Sequence, residues 1–99
     1  MSIEQELQDK GLNAPRLSPA LIAATITSTY YHIVPGTTLT ICVLTLTNGF
    51  HVTGESAAVS LENFDQEIGE KVARANAVEK VWPLEGYLLK QKLHELKSV

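Results

Sequence analysis

Hydrophobic and polar positions follow a helical period at both ends of this 99-residue chain and a strand period in its middle. Residues 2–10 place Ile3 and Leu7 four apart among glutamates, which predicts a short amphipathic helix stopped by Gly11. Asn13-Ala14-Pro15-Arg16 reads as a connector. Ser18-Pro19 then supplies an N-cap and a first-turn proline for a helix from Ala20 to about Thr27, with Leu21, Ile22 and Ile26 as its buried stripe.

From Thr29 onward the side chains turn aromatic and β-branched. Tyr30, Tyr31, Ile33 and Val34 predict a strand over residues 29–34, broken by Pro35-Gly36. Residues 39–47 carry the strongest strand signal, and Asn48-Gly49 after them is the dipeptide of type I′ hairpin turns. The return strand is residues 50–56. A two-residue turn sets Thr47 opposite Phe50, Leu46 opposite His51, Leu44 opposite Thr53 and Cys42 opposite Glu55. Leu39, Ile41, Val43, Phe50 and Val52 then share the expected core face, and Cys42, Leu44, Leu46, His51, Thr53 and Glu55 share a mixed face suited to a partner or ligand.

Ser60 or Asn63 is placed to cap a helix running to about Val81, with Phe64, Ile68, Val72 and Ala75 as its stripe and Ala73 and Ala77 small enough for close approach. Trp82-Pro83 ends or kinks it. A last helix carries Leu84, Leu88, Leu89, Leu93 and Leu96. The expected fold is α+β, one domain over residues 1–99: a small antiparallel sheet of about three strands, a meander with an Asn-Gly hairpin, packed by N- and C-terminal helices.

Composition narrows the function classes. The formal charge of -3 opposes binding to a phosphate backbone, so generic nucleic-acid binding is not expected. No Asp, Glu, Lys or Arg lies between Arg16 and Glu55, yet threonines, His32 and Pro35 interrupt that stretch, so it reads as sheet, core and subunit interface and not as a membrane span. The acidic start Met-Ser-Ile-Glu-Gln-Glu-Leu lacks the basic and apolar regions of a secretory signal. One cysteine, Cys42, cannot form an internal disulfide, which favours a reducing cytoplasmic setting.

The run Thr38-Leu-Thr-Ile-Cys-Val-Leu-Thr-Leu-Thr-Asn-Gly-Phe50, then Val52-Thr-Gly-Glu-Ser-Ala57, Asn63-Phe-Asp65, Ile68-Gly69 and Val81-Trp-Pro-Leu-Glu-Gly-Tyr-Leu-Leu89, resembles a family of small phage accessory proteins. The family is named after gene products 49 and 66 of two enterobacterial phages. The resemblance runs from about Gly36 to Leu93, and its most specific segment is Trp82-Pro83-Leu84-Glu85-Gly86-Tyr87. It implies a phage or prophage origin and a place in the host-cell cytoplasm, and it carries over no catalytic residue.

Candidate chemistry is sparse. Cys42, between Ile41 and Val43, reads as a packed, inert thiol. His32, His51, His94 and Cys42 show none of the short spacings of zinc motifs, so neither metal nor cofactor is expected. His51, Thr53 and Glu55 alternate on one strand face, which allows a His–Glu pair or a plain hairpin tip. Gly54-Glu55-Ser56 reads as a strand-end bulge or as a close backbone approach to a ligand. Trp82, Glu85 and Tyr87 form either one wall of a pocket or an anchor for the last helix. Arg74, flanked by Lys71 and Lys80 but interleaved with Glu70 and Glu79, neutralises a phosphate or sits on a solvated face.

Without a catalytic constellation, the expected function is non-enzymatic. The leading reading is an accessory protein that binds and sequesters a small host molecule, with a nucleotide-type signal as the expected class, to counter host defence. Its ligand residues would be His51, Thr53, Glu55, Ser56, Arg74, Trp82, Glu85 and Tyr87, at a site shared between subunits. The alternative is an inhibitor or adaptor that captures a host protein through a sheet edge or apolar patch. Strand edges free of Lys and internal Pro add the expectation of a homo-oligomer.

Overall fold

The computed structural model describes residues 3–11 and 15–97. Ser2 of the first predicted helix and Asn13-Ala14 of the connector fall outside the described residues. Helix α1 (Ile3–Asp9) is followed by Gly11 at φ 71°, the left-handed conformation that stops it. Helix α2 (Pro19–Ala24) starts where the sequence places its cap, the Ser18 Oγ accepting from the Leu21 N–H at 3.2 Å with Pro19 in the first turn. It ends three residues early, because Ile26 already belongs to a strand and Thr25 closes the helix through its hydroxyl on the Ile22 carbonyl at 2.7 Å.

Strands β1 (Ile26–Ile33), β2 (Leu39–Leu46) and β3 (His51–Ala57) form the antiparallel meander in the order β1-β2-β3, as expected. Their register corrects the sequence reading by one residue: Thr45 faces His51, Val43 faces Thr53 and Ile41 faces Glu55. The cause is the turn. Type I′ needs a positive φ at Asn48, and among the described residues only glycines have one. Gly49, at φ 87°, instead closes a three-residue loop, with the Leu46 N–H donating to the Phe50 carbonyl at 2.8 Å and the Gly49 N–H to the Leu46 carbonyl at 2.9 Å.

A one-residue slip turns β3 over relative to β2. The covered face of β2 is Thr40, Cys42, Leu44 and Leu46, joined by Val52 and Gly54 of β3, while Leu39, Ile41 and Val43 lie half-buried on the opposite face. Phe50, assigned to the core by sequence, is 55% exposed. The expected bulge at Gly54 is absent: Gly54 pairs with Cys42 and β3 runs on to Ala57. The sheet's irregularity lies in β1, between Ile26 and Ser28.

After a single turn at Leu61–Asn63, helix α3 (Gln66–Lys97) is continuous for 32 residues. Its cap is neither Ser60 nor Asn63 but Asp65, whose Oδ1 accepts from the Ile68 N–H at 3.0 Å. Pro83 does not end the helix. Pro83 and Glu79, whose carbonyl loses its partner there, are both exposed, so water can take that bond and the cost of the proline falls.

The buried stripe of α3 is Gly69, Ala73, Ala77 and Val81, not Phe64, Ile68, Val72 and Ala75; Ile68 is 61% exposed. Four-residue spacing of small side chains lets the helix backbone descend onto the sheet. A Cβ on Gly54 would lie 2.3 Å from both the Ala73 carbonyl oxygen and the Ala77 nitrogen. The core is therefore Ile22, Cys42, Leu44, Leu46, Val52, Ala73, Ala77 and Val81, with Leu17, Ile26, Tyr31, Val78 and Trp82 packed around it.

Among the described residues one polar side chain is fully buried, Thr40, whose hydroxyl has no hydrogen-bond partner among them and faces Gly69. A buried unmade hydrogen bond is destabilising, so Thr40→Val is expected to raise stability by about 1 kcal/mol in urea denaturation. A loss of that size would show that the hydroxyl does hold a partner.

Candidate functional site

Because α3 lies over β2 and β3, it leaves a cleft on the β1 side of the covered face. Residues at intervals of four on α3, Arg74, Val78 and Trp82, form one wall, while Pro19 and Ala23 of α2 and Ile26 of β1 form the other. The cleft measures about 210 Å³. Two candidate site residues, Arg74 and Trp82, meet in it: one cation and one indole among aliphatic side chains. Trp82 is half-buried, packs against the core and lines this cleft, without Glu85 or Tyr87 beside it.

Arg74 also acts on two groups beneath the helix, as the smaller influence beside their burial. Burial pushes the Tyr31 phenol above its ordinary value, the neighbouring Cys42 and Glu70 add to the rise, and the Arg74 guanidinium opposes it. Burial likewise raises the Cys42 thiol, against a lowering by Arg74. A fully buried thiol held in its neutral form is a packing group, in line with its reading from sequence.

The other candidates are dispersed. His51, Thr53 and Glu55 stand on the sheet face that no helix of the described residues covers, where the Thr45 hydroxyl and His51 Nδ1 lie 3.1 Å apart and the Thr53 hydroxyl donates to Glu55 Oε1 at 3.4 Å. Ser56 is on the covered face opposite Thr40, in a shallow recess of about 160 Å³ with Asn63 and Asp65. Glu85 lines a separate cleft of about 300 Å³ on the far side of α2. Tyr87 is 72% exposed and borders none of these clefts.

The expected Trp82–Glu85–Tyr87 wall fails because the helix does not break at Pro83. At 100° per residue, Tyr87 sits roughly 140° round the axis from Trp82. In the Glu85 cleft the sequence reading missed two cations, Arg16 and Lys92, which share it with Leu17, Leu21 and Leu89. Only the docking of α2 on α3 brings them together, and no spacing along the chain signals that. Among the described residues no group of three or more His, Cys, Asp or Glu side chains is placed to hold a metal ion, and no helix is long and apolar enough to cross a membrane.

The sequence matches, over residues 17–93, the family described as "Phage protein (N4 Gp49/phage Sf6 gene 66) family". That span takes in α2 and β1, where the resemblance read from the sequence began only near Gly36. No curated protein and no solved structure matches the chain.

Proposed function

This chain belongs to the phage protein family of N4 Gp49 and phage Sf6 gene 66, and from that premise we propose a non-enzymatic accessory protein that sequesters a nucleotide-type host molecule in the Arg74–Trp82 cleft. The observation that carries the reading is that one largely apolar cleft is lined by both Trp82 and Arg74, an aromatic side chain and a cation. An indole stacks on any nucleobase, and such a contact is worth about 1–3 kcal/mol. A guanidinium at the same mouth binds phosphate through charge-assisted hydrogen bonds.

Size limits what enters. At about 210 Å³ the cleft falls below the roughly 300–1,000 Å³ of pockets that enclose a whole drug-sized ligand. A base-sized ring fits inside, and the phosphate stays at the rim beside Arg74. The non-enzymatic reading is supported by the spread of the titratable candidates: His51 is occupied by Thr45, while Arg74 and Glu85 line different clefts. Binding without turnover in the host cytoplasm would withdraw a signal from its receptor, which is the anti-defence role proposed.

Trp82 is the only tryptophan, so its fluorescence reports on this cleft alone. Titration with adenosine monophosphate and with cyclic dinucleotides is expected to give saturable quenching by at least one of them. Arg74→Glu, checked for folding by circular dichroism, should weaken that binding at least about tenfold, the worth of one charge-assisted contact. A fluorescence signal indifferent to every nucleotide tried would sink the reading.

The rival reading, capture of a host protein, draws on Leu84, Tyr87 and Leu88, exposed side by side on α3 in the spacing of a helix laid into a groove. Leu88→Glu would abolish such capture and leave nucleotide binding intact.

A further inference from the structure

The central strand is apolar on both faces. Leu39, Ile41 and Val43 alternate with Cys42, Leu44 and Leu46, a pattern proper to a strand covered on both sides, yet α2 and α3 cover only one. The exposed side is a flat array of rows read across the three strands: Ser28, Thr45 and His51; Tyr30, Val43 and Thr53; His32, Ile41 and Glu55. Tyr30 is 63% exposed on it, and Glu55 is the one Asp, Glu, Lys or Arg side chain among these nine positions.

We infer that this face is the interface with a second copy of the chain, packed sheet on sheet about a two-fold axis running along β2. Such an axis exchanges β1 with β3 and leaves β2 facing itself. Ile41 then meets the partner's Ile41, Val43 meets the partner's Val43, and the Tyr30 ring covers the partner's Thr53. His32 comes to lie over the partner's Glu55. Within one sheet those two residues stand two strand spacings apart, roughly 10 Å, beyond any hydrogen bond. An imidazole N–H donates to a carboxylate whether or not the ring is charged, so this array is complementary to itself and to no random surface.

The roughly 30° between stacked sheets shifts the outer pairs by only a few ångströms, within reach of both side chains. This interface lies on the face opposite the Arg74–Trp82 cleft, so it stands or falls independently of the proposed ligand.

Light scattering coupled to size-exclusion chromatography of the full chain, across the micromolar range, tests it. The wild type is expected to be a dimer and Ile41→Glu a monomer. Glu55 is exposed, so Glu55→Arg keeps the fold and should weaken dimerisation at least tenfold even where Ile41→Glu fails to fold. Adding His32→Glu to Glu55→Arg exchanges donor and acceptor across the pair and should restore the dimer. A wild-type monomer overturns the inference. So does a dimer that withstands Ile41→Glu but dissociates in Leu88→Glu, which would move the contact to α3. Failure of the double variant to rescue overturns the two-fold pairing of His32 with Glu55.

Discussion

Gly54→Ala is expected to cost about 4 kcal/mol or more, enough to unfold much of a domain this small. The new methyl group would sit 2.3 Å from two backbone atoms of α3, and backbone cannot swing aside as a side-chain end can. Either the helix lifts from the sheet, exposing Ala73, Ala77 and Val81, or β3 tears away from β2. Both routes lose the packing that defines the core, and overpacking of this kind has no soft response. Urea denaturation followed by circular dichroism reads the effect. An unchanged midpoint would show that α3 does not cross β3 at this residue.

Leu44→Ala, by comparison, should cost about 3 kcal/mol through lost transfer energy and a cavity in the middle of the core. Val43→Ala, one residue away on the same strand, should cost the single subunit about 1 kcal/mol or less, because α2 and α3 leave its face uncovered and any larger effect would come from the proposed dimer contact. The pair forms an internal control for the direction of β2. The reverse order of effects would place the core on the Ile41–Val43 side, as the sequence pattern first suggests.

That ambiguity explains what could and could not be read from the sequence. Element types and topology were legible because they rest on local chemistry: Ser18-Pro19 at the start of α2, Gly11 after α1, aromatic and β-branched residues in β1, and a glycine turn between β2 and β3. The register was not legible, because Asn48-Gly49 serves two turn types and the choice between them depends on the sign of one φ angle. Nor did β2 disclose its core face, since apolar side chains occupy both of its faces.

Another signal was available in the chain. Gly54 in a strand, together with Gly69, Ala73 and Ala77 at four-residue spacing on a helix, marks two backbones in close approach. Reading those glycines and alanines as a matched set, and not as a bulge and a minor stripe, would have fixed the helix on the even face of β2. The candidate site suffered from the same error. The sequence pattern groups His51, Thr53 and Glu55 with Cys42, Leu44 and Leu46 as a mixed face and with Trp82 as ligand residues, whereas the register sets them beside Thr45, Val43 and Ile41 on the other side of the sheet. Arg74 and Trp82, read as separate features in the sequence, line one cleft through an eight-residue separation on one helix that does not depend on the register.

The two faces of the sheet thus divide the proposed work. The covered face, through the groove left between α3 and β1, holds the ligand; the open face holds a second copy. Cys42, Tyr31 and Arg74 all belong to the covered side, where burial raises the thiol and the phenol above their ordinary values and Arg74 opposes both shifts.

Native mass spectrometry of the protein purified gently from phage-bearing cells tests the central claim most directly, because sequestration means that the ligand is retained. The account predicts a non-covalent adduct in the nucleotide mass range on the wild-type protein, lost in Arg74→Glu at unchanged fold. A bare wild-type mass, or an adduct that Arg74→Glu retains in full, would contradict it.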